Sequence, residues 1–267
     1  LKADIPSPFD VSIDWVHPFP LIATFGTTAL YLFLITCVFP RFKPSKETIA
    51  RISFWHYGGL FVYSTVAFAA MFYYLWVNGE FTDFNAFFCR PIPGWLRLLS
   101  ISFTISKVWE WLDTAILIWK GQSLRKIGFL HIYHHATTVF LFLVIMNKPP
   151  TEKSGLLMNG FVHSLMYYHF GFRLPMMFRP IITFAQILQL ASSTTFWDIT
   201  RQSCPAYASF REEHFIEFCV PYLFVPVYLI FFIRFFFEQY ITGKKKPAVV
   251  HSTGDKAAAP AVTKKTD

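Results

Sequence analysis

Three observations predict an all-α fold, a polytopic membrane protein of seven transmembrane helices. Hydrophobic residues make up 54% of the 267 residues and charged residues 15%, against about 25% charged in soluble domains. Thirty-three phenylalanines exceed what one water-soluble core needs. Seven apolar runs, at 19–39, 52–77, 95–119, 127–146, 154–172, 180–200 and 215–238, punctuate the chain, and about 20 apolar residues suffice to cross a bilayer. One membrane-embedded domain over 1–243 and a disordered basic cytosolic tail over 244–267 are expected.

The runs follow one another with loops of alternating charge. The N-terminal segment sets Asp4, Asp10 and Asp14 against Lys2 and lacks the basic-then-apolar order of a cleaved signal peptide, so the first run is expected to serve as the insertion signal. Loop 40–51 is net +3, loop 78–94 net −1, loop 120–126 net +3, loop 147–153 net +1, loop 173–179 net +2, segment 201–214 neutral and the tail after Tyr240 net +4. Basic loops belong on the cytosolic side, which predicts an N-terminus in the lumen and a C-terminus in the cytosol. An odd number of crossings demands the same. The net charge of +8 reads as this bias, or as a grip on a polyanionic substrate. No basic stripe interleaves with aromatics, so nucleic acid is not an expected partner.

The third to sixth runs are interrupted by polar residues, which suits helices that line an interior. At 1.5 Å per residue, Glu110, Asp113, His134, His163 and Gln186 all lie roughly 9–13 Å below the cytosolic surface. Lys107 and Asn159 are expected beside them, and the lumenal halves of the same helices read as nearly all apolar. The shape implied is a pocket with a polar mouth towards the cytosol and an apolar blind end, suited to a lipid with a polar head.

The residue types in this layer suggest chemistry. Lys107, Glu110 and Asp113 stand at i, i+3 and i+6, where neighbours pair and lower each other's burial cost. They serve either as a structural ion cluster or to orient and polarise a histidine on the next helix. His131, His134 and His135 share one helix face. Three readings stand: a metal site, a structural role, and acid–base or nucleophilic catalysis, for which imidazole is suited near neutral pH. Metal is disfavoured because no second histidine pair has ligand spacing: His163 and His169 are six apart, and His17, His56, His214 and His251 are isolated. Asn159 and His163, at i and i+4, either glue helices together or hold an acyl oxygen or enolate. Thr183 and Gln189 read as glue, while Gln186 is placed to reach the site.

Neither Cys37 nor Cys219 has the charged surroundings of a nucleophile. Cys89 and Cys204 both fall in predicted lumenal loops, an oxidising compartment, and are expected to form a disulfide. Lys244-Lys245-Lys246 reads as a stop-transfer anchor or a phosphate contact, and the terminal Lys264-Lys265-Thr266-Asp267 resembles a dilysine retrieval signal for the endoplasmic reticulum.

Taken in order, the motifs resemble those of the very-long-chain fatty acid elongase (ELO) family, the membrane 3-ketoacyl-CoA synthases. KxxExxDT is met by Lys107, Glu110, Asp113 and Thr114, and HxxHH by His131, His134 and His135. NxxxHxxMY is met by Asn159, His163, Met166 and Tyr167, and TxxQxxQ by Thr183, Gln186 and Gln189. The chain departs from the family where a tyrosine pair is usual and carries His169-Phe170 instead, which makes His169 a candidate site residue.

The resemblance implies condensation of a fatty acyl-CoA with malonyl-CoA, without a cofactor or metal, in a six-helix barrel around an acyl tunnel with the first span peripheral. His134 is the expected acyl carrier. His131, His135, Glu110, Asp113 and Lys107 would set its state, and His163 with Asn159 would stabilise the enolate. Gln186, Tyr167, His169, Arg173, Arg179 and Lys244 are expected substrate contacts, with Lys120 a further cation for the CoA head. Partners implied are acyl-CoA, malonyl-CoA, the bilayer, the reductases and dehydratase of the elongation cycle, and a second copy of the chain. The rival readings are a histidine-box di-iron desaturase or hydroxylase and a non-enzymatic seven-span transporter. Against a transporter stand the apolar lumenal halves.

Overall fold

The computed structural model describes residues 19–146, 152–172, 174–204 and 215–242. The expectations for the acidic N-terminal segment, the tail over 244–267, Arg173 and Lys244 lie outside them. All regular structure among the described residues is helical, and every predicted apolar run falls on helix. Helix α1, Phe19–Phe33, continues through a π-turn at Leu34–Val38. Then come α2 (Lys46–Val77), α3 (Phe84–Cys89), α4 (Gly94–Trp109), α5 (Trp111–Trp119), α6 (Leu124–Ile127) and α7 (Phe129–Met146). A single turn, α8 (Glu152–Ser154), leads through a π-segment at Gly155–Asn159 into α9 (Gly160–Phe172). Helices α10 (Phe178–Ser203) and α11 (Phe215–Phe236) complete the set.

Length and composition alone support two membrane crossings among the described residues, Lys46–Val77 and Phe218–Ile241, rather than seven; Phe25–Arg41 and Phe129–Leu143 are apolar but shorter.

Local chemistry sets the helix ends. Ser45 caps α2 by accepting the Thr48 N–H at 3.1 Å, and Asp83 caps α3 by accepting that of Ala86 at 2.9 Å. Gly128, at φ +93°, makes the turn between α6 and α7 that a side chain would strain. Gly160 lets α9 press onto α2, since a Cβ there would stand 3.2 Å from the backbone nitrogen of Phe68.

Neighbour relations run from α2 to α9, α9 to α10, α10 to α11, α11 to α7, α7 to α4 and α4 back to α2. Helix α1 lies against α7. An apolar layer of Ala67, Met71, Leu75, Leu96, Phe103, Phe142 and Leu156 packs inside this circuit.

Beyond that layer the structure departs from expectation. The ends of the helices read as apolar, and Glu80, Glu152 and Lys153 read as loop charges. All three are at most 1% exposed. Lys153 donates to Glu80 Oε2 at 2.5 Å and to the Ala86 carbonyl at 2.7 Å. Tyr74 donates to Glu80 Oε1 at 3.1 Å, and Arg97 pairs with Glu152. A lone charge would not survive burial, but opposite charges brought from separate segments satisfy one another. Cys89 and Cys204 join the same end of the bundle, linking α3 to the end of α10 through a disulfide.

Candidate active site

The site begins at a break. Helix α4 stops at Trp109 and α5 starts at Trp111, with the Asp113 N–H reaching only three residues back to the Glu110 carbonyl at 3.0 Å. On α9 the approach is through the π-segment that ends on Asn159. Such widened turns are frequent where a side chain must be re-aimed.

Two polar clusters meet here. In the first, Lys107 is 1% exposed and donates to Glu110 Oε1 at 2.6 Å and to Asn159 Oδ1 at 2.9 Å. Its ammonium also lies 4.4 Å from the Phe103 ring centroid and 4.8 Å from that of Phe142. His163 Nδ1 stands 3.2 Å from the same Glu110 oxygen. In the second, Asp113 Oδ1 is 2.8 Å from His56 Nε2, and Oδ2 accepts the Tyr167 hydroxyl at 2.9 Å. His135 Nε2 is 4.0 Å from Oδ2. Thr114, next in sequence, bonds His131 Nε2 at 2.9 Å.

The histidine helix α7 closes the group. The rings of His131 and His135 are 4.4 Å apart, and that of His134 is 5.3 Å from both His135 and Tyr228. Trp111 Nε1 donates to the His135 carbonyl at 3.0 Å, pinning α5 to α7. Lys107, Glu110, Asp113, His131, His134, His135, Asn159 and His163 thus share one interior region, built by α4, α5, α7 and α9.

The wiring follows the spacing in part. Asp113 lies 4.0 Å from His135 of α7, the expected kind of contact, but also pairs with His56 of α2. Glu110 turns instead to Lys107 and to His163 on α9, and neither carboxylate bonds His134. The cause is proximity: Lys107 sits one turn behind Glu110 and takes its oxygen first.

His56, read as isolated, is 3% exposed and belongs to the site. So does Tyr31 of α1, whose hydroxyl is 2.9 Å from Thr114 Oγ1. A signal for His56 existed. The buried residues of α2 run Ile49, Ser53, His56, Tyr57, Leu60, Ser64, Ala67, Met71 and Leu75, a three-and-four stripe on which a polar residue must have a partner.

Of the remaining predicted residues, Tyr167 joins the site and the others are dispersed. Tyr167 is fully buried with its hydroxyl committed to Asp113. Gln186 Nε2 points to Met166 Sδ at 3.6 Å rather than into the cluster. Arg179 Nε donates to His169 Nε2 at 3.1 Å where α9 hands over to α10. The Lys120 ammonium is 5.8 Å from the Tyr57 ring centroid. Cys37 and Cys219 are free thiols. Among the described residues no three His, Cys, Asp or Glu side chains are grouped so as to hold a metal ion.

Three buried atoms in this region lack a protein partner: Glu110 Oε2, His135 Nδ1 and His56 Nδ1. Glu152 Oε1 is likewise unpartnered away from this region, so it is the grouping of three such atoms here that leaves room for a substrate or water contact. Imidazoles beside carboxylates and an ammonium suit nucleophilic attack and the holding of a developing oxyanion.

Comparison with known proteins agrees with the motifs. The chain is 32% identical to very long chain fatty acid elongase 3 of Mus musculus over 162 residues, covering 57% of either chain. It is 27% identical to fatty acid elongase 3 of Trypanosoma brucei over 179 residues, 62% of this chain and 55% of that protein. In these two alignments it therefore spans little more than half of the relative's length. Against very long chain fatty acid elongase 5 of Pongo abelii the identity is 25% over 257 residues, 89% of this chain and 82% of that one. The profile of the ELO: GNS1/SUR4 family matches residues 18–248, and the chain belongs to that family.

Proposed function

We propose that the chain condenses a long-chain fatty acyl-CoA with malonyl-CoA to give a 3-ketoacyl-CoA two carbons longer, CoA and CO₂. The observation that carries this reading is the gathering of three α7 histidines, Asn159, His163 and the Lys107–Glu110 pair inside one helical circuit. The elongase names of the relatives point the same way.

His134 attacks the acyl thioester through a ring nitrogen. A C–N bond forms, the C–S bond breaks, and the CoA thiolate leaves and takes up the proton shed by the ring. Malonyl-CoA then loses CO₂, and the enolate carbon attacks the acyl carbonyl. A C–C bond forms, the C–N bond breaks, and the departing imidazolate takes a proton from water, the one proton the overall reaction consumes. Lys107 already occupies Asn159 Oδ1, which turns the amide N–H₂ of Asn159 towards donation, and with His163 it steadies the enolate oxygen. Glu110 and Asp113 hold the charge and tautomers of His163, His56 and His135.

The neighbour order of α2, α9, α10, α11, α7 and α4 supports a barrel of six crossings around an acyl tunnel, with α1 as a seventh on its outer side. Alternating loop charge supports a lumenal N-terminus, a cytosolic C-terminus and residence in the endoplasmic reticulum membrane. Arg179 and His169 are candidate contacts for the CoA phosphates on the cytosolic side, and Lys120, Arg173 and Lys244 are candidates by charge. Reductases and a dehydratase would then process the product.

The test is incubation of purified protein with carboxyl-labelled malonyl-CoA and a panel of acyl-CoAs. Label release as CO₂, matched by 3-ketoacyl-CoA, is expected for at least one chain length; no release with any of them overturns the reading. Intact mass after exposure to acyl-CoA without malonyl-CoA should show one added acyl group. An unmodified mass argues for a ternary complex instead.

A further inference from the structure

We propose that Tyr31, on the outlying helix α1, is a positioning residue: through Thr114 it dictates which nitrogen of His131 carries the proton. The proposal rests on the condensation reading for its catalytic consequence but not for its geometry. Tyr31 and Thr114 are both 0% exposed. The Tyr31 hydroxyl is 2.9 Å from Thr114 Oγ1, and that oxygen is 2.9 Å from His131 Nε2.

The direction of this chain follows from counting protons. Each hydroxyl has one to give. Thr114 is the hydrogen-bond partner of the Tyr31 hydroxyl. If His131 Nε2 carried the proton, it would donate to Thr114, Thr114 would donate to Tyr31, and the Tyr31 proton would be buried without an acceptor. In the opposite direction both hydroxyl protons are used, and the ring proton falls on His131 Nδ1, which is not among the buried unpartnered atoms. Tyr31 donates to Thr114, Thr114 donates to His131 Nε2, and His131 is held with its proton on Nδ1.

The rest of α1 is fitted to this contact. Thr28 Oγ1 donates to the Ala136 carbonyl of α7 at 2.8 Å. The Tyr31 ring packs 5.4 Å from that of Trp111 and 6.3 Å from that of His135. The outlying helix thus clasps the back of the histidine helix and sends one hydroxyl through to the ring neighbouring His135. Because His131 and His135 are 4.4 Å apart, a change of tautomer at His131 alters what His135 and His134 face.

Tyr31→Phe keeps the ring packing and removes only the hydroxyl. In wild-type protein labelled with ¹⁵N-histidine in lipid nanodiscs, the His131 signals, assigned by their loss in His131→Gln, should report an Nδ1–H tautomer. In Tyr31→Phe the Nε2–H tautomer should become populated. In the condensation assay Tyr31→Phe should lower kcat about tenfold with KM little changed, and Thr114→Val should do the same. The double variant should be no worse than either single one, because both break one chain. A wild-type Nε2–H tautomer, or a tautomer unmoved by Tyr31→Phe, overturns the proposal. So does additivity of the two substitutions. Should wild-type protein condense nothing, the condensation reading falls, while the tautomer measurement still decides the role of Tyr31.

Discussion

Two buried ionic networks lie along the same helices, separated by one apolar layer, and they are built from different partners. On α2, α4 and the segment leading into α9, the order is the same: His56, Lys107 and Asn159 at one level, then Ala67, Phe103 and Leu156, then Glu80, Arg97 and Glu152. The network beside the disulfide matches carboxylates with lysine and arginine. Burial raises the Glu152 carboxyl and lowers the Lys153 ammonium from their ordinary values, so each charge is costly alone and is kept by its partner. The network at the other level matches carboxylates with imidazoles, whose two ring nitrogens let one side chain both give and accept a hydrogen bond. Each network keeps unpartnered buried atoms, Glu152 Oε1 in the one and Glu110 Oε2, His56 Nδ1 and His135 Nδ1 in the other, so orphaned atoms alone do not tell them apart. Burial of charge is common to both; the chemistry of the partner separates a tie from a site.

Substitution should split the two networks cleanly. The largest effect is expected for His134→Ala, which should lower condensation by about 10³-fold or more while leaving the fold intact. Turnover by acyl-CoA consumption, with thermal unfolding measured on the same sample, checks both halves. Wild-type turnover in this variant would move the chemistry elsewhere. Lys153→Met should do the reverse. Leaving Glu80 without its lysine should cost about 3–5 kcal/mol of stability, with turnover per folded molecule held within about twofold. Loss of turnover at unchanged stability would erase the distinction between the networks.

These two levels were unequally legible in the sequence. The motif residues at Lys107, Glu110, Asp113, His131, His134, His135, Asn159 and His163 recur at helical spacing, and periodic signals survive without tertiary information. They therefore share one region, as their spacing implies. Their pairings were not legible. His56 finds Asp113 across 57 residues, and Lys153 finds Glu80 across 73; no local pattern encodes such a meeting. Glu80 and Lys153 lie in segments that read as loops by charge alone, and only the folded chain shows that they turn inward. The cysteines were easier, because two thiols assigned to one oxidising side leave few ways to pair.

His56 sharpens the comparison from within the site. It touches Asp113 but stands on a helix that carries none of the family motifs. If the Asp113 cluster belongs to catalysis, His56→Ala should cut kcat about 10- to 100-fold, the range for partners that orient a reactive imidazole. The KM for acyl-CoA should change little. His56→Asn, which retains a donor for Asp113 Oδ1, should recover part of the loss. A stability change without a kcat change would place Asp113 and His56 with the structural ties.

The smallest effect is expected at the contacts proposed for the CoA head. Arg179 lies in the first turn of α10, is exposed, and is held through its Nε by His169. Its terminal guanidinium nitrogens are directed at neither buried network by any bond that structure records, so it belongs with neither the ties nor the reacting groups. A guanidinium at a helix start adds its charge to the backbone N–H groups there, and both favour phosphate. Arg179→Glu should therefore raise the KM for acyl-CoA about tenfold and lower kcat less, with the effect fading as ionic strength rises. His169→Tyr, which restores the residue type common at that position in the family, should leave kcat near wild type while shifting KM only as far as it disturbs Arg179. Steady-state kinetics at two salt concentrations checks both. A kcat loss larger than the KM rise in Arg179→Glu would mean that this arginine reaches the reacting thioester, and the polar mouth would then be part of the catalytic level and not a separate one.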